Sequence, residues 1–251
     1  MIVTTEHGAV RELRLDRPPV NALSTELITA LTQAVDSAPR DGVRALVLSG
    51  APGRFSAGLD VPLLLTLDRP AMADLWRALY DLLRALACST IPIAAAITGH
   101  APAGGTVLPL FCDRRIMARG DWKIGVNEVQ VGIPLPPVIV LALKRQVGAR
   151  HAETLGVGGA LISPLEAEKI GLVDEITDPE SVVPRAIEWC NGLLAVPPHA
   201  MSVTRERSRA DLVALFDRVE SEIDEMIQSW WSEETQRTLG SLVERLAKKK
   251  A

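Results

Sequence analysis

One carboxylate, Glu128, stands in the stretch IGVNEVQVGI (124–133), where every other side chain is uncharged. A lone glutamate is usually exposed, so strand, polar corner, strand is one reading of these residues. The other is a general base in an apolar pocket, where desolvation raises a carboxyl pKa toward the range useful for taking and returning a proton. Two glycine-punctuated loops are the next candidates. In FSAGLD (55–60), Gly58 permits a sharp turn and keeps a ligand from meeting a Cβ, and Asp60 could cap the turn. An ordinary strand-to-helix connection has the same composition. In ITGHAPAGGTVLPLFCD (97–113), Gly104 and Gly105 follow an apolar run and open a helix. The N–H groups at a helix start are unpaired and suit an anion, although close helix–strand packing asks for the same glycines. If each loop aimed one N–H at a common point, the pair would form an oxyanion hole. A carboxylate beside it would complete a site for deprotonation next to a carbonyl.

The remaining reactive side chains read as structural. His100, just before the second loop, suits helix entry or packing. Cys112 reads as buried rather than nucleophilic, and Asp113 with Arg114 and Arg115 as charge partners at a helix end. The three cysteines, Cys88, Cys112 and Cys190, are odd in number, widely spaced and free of any CxxC. That disfavours a disulfide framework or zinc site and fits a reducing compartment. The four histidines, His7, His100, His151 and His199, form no HxxH or HExxH pair, so no metal site is expected.

The elements that must position these residues follow from periodicity. AVRELRL (9–15) alternates like a strand, and Ser24 caps a helix from Thr25 to Ser37 with Leu27, Leu31 and Val35 on one face. RALVLSG (44–50) and IPIAAAITG (91–99) read as buried strands, with a helix over about 72–86 between them. A helix follows from Gly104, then strands over RRIMA (114–118) and WKIG (122–125). Helical periods resume after Pro137 as VIVLALKRQVG, HAETLGVGG and PLEAEKIG, and dominate from about Glu180 to the end. The alternation predicts an α/β body with a helical appendage.

Composition narrows the function. The 251 residues are 47% hydrophobic and 23% charged, with a formal net charge of −4, which argues against an extended nucleic-acid surface. The first residues carry charges where a signal peptide has its apolar core. Ile91–Phe111 is uncharged and long enough to span a membrane, but three prolines and three glycines break it into strand, turn and helix. A soluble, cytoplasmic protein is expected.

RPPVNALS, FSAGLD, HAPAGG and IGVNEVQVG occur in the order, and at about the separations, of the crotonase (enoyl-CoA hydratase/isomerase) superfamily, and residues 8–180 resemble it as a set. The resemblance implies a crotonase-like spiral of ββα units over residues 1–190 and a C-terminal helical trimerisation region over 191–251. It implies an acyl-CoA substrate, with coenzyme A as part of the thioester rather than a resident cofactor, and a homotrimer or dimer of trimers. Carried over, the oxyanion donors are the backbone N–H groups of Leu59 and Gly104, with Gly58 and Gly105 as their loop glycines. Backbone around Ser56, Ala57 and Asp60 would line the adenine and pantetheine path, and the lysines at 248–250 would reach a CoA phosphate. Residues 61–80 and the C-terminal helices would build the pocket wall, with Trp230 and Trp231 over the acyl tail or at a subunit interface.

One departure sets the expected reaction. Hydratases of this family carry a second glutamate three residues after the second oxyanion donor, and Val107 stands there. With Glu128 alone, the chain looks most like the mitochondrial-type delta3,delta2-enoyl-CoA isomerases of the family. Migration of a double bond adds no water, so one carboxylate suffices, and an apolar Val107 would raise its pKa. A slow one-glutamate hydratase and a non-catalytic acyl-CoA binder are the alternatives. The isomerase reading implies a role in the oxidation of unsaturated fatty acids.

Overall fold

The computed structural model describes residues 1–248, with side chains to Glu244. The strands are β1 (Ile2–His7), β2 (Val10–Leu15), β3 (Ala45–Ser49), β4 (Gly53–Arg54), β5 (Ile93–Ile97), β6 (Gly99–Pro102), β7 (Arg114–Ala118), β8 (Ile124–Gly125) and β9 (Glu175–Thr177). Between and after them come α1 (Thr25–Ser37), α2 (Val61–Leu64), α3 (Arg69–Cys88), α4 (Gly104–Leu110), α5 (Pro137–Gly158), α6 (Pro164–Lys169) and α7 (Val182–Leu193). The C-terminal set is α8 (Pro198–Ser208), α9 (Ala210–Val213), α10 (Val219–Trp230) and α11 (Glu233–Lys248).

Two sheets share the strands. The larger runs β1-β2-β3-β5-β7-β9 and is parallel except for the β1–β2 hairpin; the smaller is the parallel set β4-β6-β8. The chain therefore gives one strand to each sheet and then a helix, three times over: β3-β4-α3, β5-β6-α4, β7-β8-α5. This is the expected spiral of ββα units.

Why the large sheet is buried is visible in β3 and β5, which have no exposed residue. Leu46, Leu48, Ala95 and Ile97 face the main core with α1 and α3, while Ala45, Val47, Ala94 and Ala96 face α7 through Ala186 and Cys190. Helices on both faces explain the continuous apolar runs. Helix α1 lies where expected, with Leu27, Ile28, Leu31 and Val35 buried and the Ser24 hydroxyl accepting from Leu27 N–H. Helix α3 begins earlier than expected, at Arg69, because Asp68 accepts from Ala71 N–H at 2.9 Å and Pro70 suits the first turn.

Asp113 is a structural charge partner, but its partners are Arg205 (2.7 Å) and Arg209 (2.8 Å) rather than its neighbours. Arg115 instead pairs with Asp174, and Arg114 with Glu175. Arg205 and Arg209 also donate to the carbonyls of Leu86, Ala87, Ser89 and Phe111, which fastens α8 and α9 to the ends of α3 and α4. The division expected after residue 190 falls inside α7, and α10 packs against α3. Among the described residues no helix is long and apolar enough to cross a membrane. Lys249 and Lys250, and the side chain of Lys248, lie outside the described residues.

Candidate active site

The two glycine loops meet. Their contact is built from residue 17 onward: Arg17 N–H donates to Asn21 Oδ1 at 2.9 Å, and Asn21 Nδ2 donates to the Phe55 carbonyl at 3.0 Å. Ser56 Oγ donates to the Asn21 carbonyl at 2.7 Å and accepts from Gly58 N–H at 3.2 Å. Leu23 N–H donates to the Gly58 carbonyl and Asp60 N–H to the Leu23 carbonyl. The donors on either side of Leu59 are thus engaged, while Leu59 N–H has no partner among the described residues.

The second loop repeats the pattern. Ala103 N–H donates to the Gly125 carbonyl, and Thr106 and Val107 N–H both donate to the Ala103 carbonyl, which leaves Gly104 N–H without a partner among the described residues. Ala103 holds φ +50° and ψ −126°, an uncommon conformation for a residue with a Cβ that the surrounding bonds must impose. The loops touch closely: a β-carbon on Gly58 would lie 2.8 Å from Gly104 N, and one on Gly104 would lie 3.5 Å from Leu59 N. The two free N–H groups therefore belong to one small region.

These loops open onto a cavity of about 830 Å³. Of the expected site residues, Ala57, Leu59, Asp60, Gly104, Val107 and Glu128 line it. Ser56, Gly58 and Gly105 stand behind the wall. All three are buried, and a β-carbon on Gly105 would come within 2.2 Å of the Ser56 carbonyl oxygen, so Gly105 serves the close packing of one loop on the other.

Glu128 opens a 3-10 turn (Glu128–Val131) that follows β8 and ends at Gly132, φ +81°. The sequence allowed a second strand here; the chain instead coils, because Gly132 can take the left-handed conformation that closes a helical turn. Thr106 Oγ1 accepts from Gly125 N–H at 2.8 Å and so ties α4 to the strand that leads into the turn. From the other side, Thr235 Oγ1 of α11 donates to the Gly132 carbonyl at 2.7 Å. Burial raises the Glu128 carboxyl from its ordinary 4.5 to about 7, opposed only by its own N–H, and Oε2 is buried without a hydrogen-bond partner.

Val107, 2% exposed, presents an apolar surface to the cavity. The far wall is Val61 and Pro62, Trp76 and Leu79 of α3, and Leu242 and Val243 of α11. Arg17 and Asp60, paired at 2.7 Å, also line it. Trp230 and Trp231 do not: Trp230 is buried, and Trp231 lies beneath the Arg69 guanidinium, 4.9 Å from its ring centroid. The indole of the cavity is Trp76 of α3, within the 61–80 segment expected to form part of the wall. His100 is exposed, accepts from Lys123 N–H and meets the edge of Trp122, away from the cavity. Cys112 is buried and its thiol is pushed up to about 12 by desolvation, which removes it as a nucleophile. No group of three metal-ligating side chains occurs among the described residues.

The family described as Enoyl-CoA hydratase/isomerase matches residues 5–249. A mouse (Mus musculus) protein named mitochondrial enoyl-CoA delta isomerase 1 is 34% identical over 255 residues, spanning 100% of this chain and 88% of its own length. A probable enoyl-CoA hydratase of Mycobacterium avium is 34% identical over 206 residues, 82% of this chain and 78% of that protein. The crystal structure of human mitochondrial delta3-delta2-enoyl-CoA isomerase superposes with a TM-score of 0.96 at 31% identity, covering 100% of this chain and 99% of that one.

Proposed function

The chain belongs to the enoyl-CoA hydratase/isomerase family, and from that membership we propose that it is a delta3,delta2-enoyl-CoA isomerase. One observation carries the choice. Of the two carboxylates on the cavity wall, Asp60 is paired with Arg17, so Glu128 alone is left unpaired beside two backbone N–H groups that have no partner among the described residues, and Val107 fills the place of a second glutamate.

In this reading the thioester oxygen of a 3-enoyl-CoA accepts from Leu59 and Gly104 N–H. Glu128, as carboxylate, takes a proton from carbon 2. The C–H electron pair moves into a dienolate whose charge rests largely on the thioester oxygen, where the two donors stabilise it. The carboxyl then releases the same proton to carbon 4, and the double bond comes to rest between carbons 2 and 3. Losing one such donor costs ~2.7–4 kcal/mol of barrier. Raising Glu128 toward neutrality suits a group that must accept and return a proton within one turnover. Coenzyme A enters and leaves with the substrate, no resident cofactor takes part, and the assembly is a homotrimer or dimer of trimers.

Hydration of a 2-enoyl-CoA is the second reading, favoured by the likeness to the mycobacterial relative. Incubation with 3-hexenoyl-CoA, and separately with 2-hexenoyl-CoA, separates the two. Isomerase action gives conjugated 2-enoyl thioester without change of mass, and Glu128→Gln abolishes it. Gain of water on the 2-enoyl substrate as the faster reaction would replace the isomerase with a hydratase.

A further inference from the structure

Buried polar atoms without a partner are rare and call for a reason. Among the described residues there are five such side-chain atoms, and three belong to residues of the cavity wall: Trp76 Nε1, Asn127 Oδ1 and Glu128 Oε2. Two of these are oxygen acceptors on consecutive residues. Asn127 holds the N-cap position of the 3-10 turn, where an asparagine side chain ordinarily accepts from the turn's own N–H groups. Here it makes no capping hydrogen bond. An amide that neither caps nor pairs is costly beside an apolar cavity unless some stage of the working cycle gives it a partner.

We propose that Asn127 is a positioning residue for Glu128, its amide oxygen accepting a hydrogen bond from the carboxyl while that carboxyl carries the proton in transit. One proton then satisfies both unpaired acceptors. The inference rests on Glu128 as the proton shuttle and adds what holds the proton between its removal from carbon 2 and its delivery to carbon 4. An acceptor facing a carboxyl favours the neutral form over the charged one. No other charge competes for it. Arg17 and Asp60, the other ionisable groups on the cavity wall, are paired with each other. Helices α5 and α11, packed against the turn, contribute Ile139, Leu242 and Val243 to the wall, and α4 contributes Gly104 and Val107.

The test is an NMR titration of the glutamate side-chain carboxyls, carbon-13 labelled, in the full chain. Wild type is compared with Asn127→Ala and Asn127→Ser, and Glu128→Gln assigns the signal. This readout needs no turnover, so it stands even if the isomerase reading fails. The expected result is a Glu128 midpoint that moves down toward the ordinary carboxylate range in both variants. With 3-hexenoyl-CoA, kcat should fall about tenfold while KM stays within about twofold. An unmoved midpoint overturns the proposal, even if activity is lost, since the asparagine would then be structural only. A midpoint that rises also overturns it, because the amide nitrogen would then face the carboxylate. Asn127→Ser keeps a side chain able to cap the turn and carries the test if the alanine variant does not fold.

Discussion

In the proposed mechanism, Glu128 sets function against stability within one side chain. Its carboxyl is raised from 4.5 to about 7 by burial. Between those values the folded protein binds more protons than the unfolded chain, so stability is highest below the lower value and falls as pH rises through the upper one. The cost is ~1.4 kcal/mol for each tenfold change in proton affinity, a few kcal/mol in all. Glu128→Gln removes that dependence. Denaturant unfolding should find the variant more stable than wild type at about pH 8 and equal to it at about pH 4. The active enzyme should show kcat/KM rising with pH through about 7, as the base loses its proton. Glu128 was legible in the sequence because a charge among uncharged residues is a local anomaly. Asn127 was not, because an asparagine before a glutamate has the ordinary composition of a turn, and its missing cap exists only in the folded geometry.

At the scale of elements, the meeting of two loops is the decisive event, and it depends on backbone rather than side chains. Gly58 has φ +79°, and a β-carbon there would also press on Ala103 Cβ at 2.9 Å. Gly58→Ala must therefore take up left-handed strain of ~1–2 kcal/mol and push the loops apart. The expected outcome is a melting temperature lower by several degrees and kcat/KM reduced about a hundredfold, a loss greater than the lost stability explains. Calorimetry and steady-state kinetics on one preparation check both. Periodicity found α1, α4, β3, β5 and β7 because each carries a buried stripe or run. It missed β1, in which no residue is fully buried and which is held by its hairpin register with β2, Ile2 opposite Leu15. It missed β9 as well, a strand of 3 residues with no fully buried one. The Ser56 and Gly105 contact was equally invisible, since residues 49 apart in sequence meet only when the spiral closes.

The whole molecule decides what the cavity can hold. Its wall comes from the loops of all three ββα units, from α3 and from α11, elements far apart in the chain, so neither its volume nor its lining could be read from periodicity. Trp76 is the largest side chain on that wall. Trp76→Ala should enlarge the cavity and shift the ratio of kcat/KM values toward longer 3-enoyl-CoA chains, measured across a series from six to about twelve carbons. An unchanged ratio would mean that the chain end lies elsewhere.

Helix α11 reaches the cavity that holds Glu128. Leu242 and Val243 close the cavity, and two turns earlier Thr235 grips the carbonyl of Gly132, at the end of the turn that Glu128 begins. The turn that carries Glu128 and one wall of its cavity both depend on this helix. An affinity handle fused directly after α11 is consequently not a neutral addition. Likewise, a stop codon before Leu242 would keep every strand and remove Leu242 and Val243 from the cavity wall.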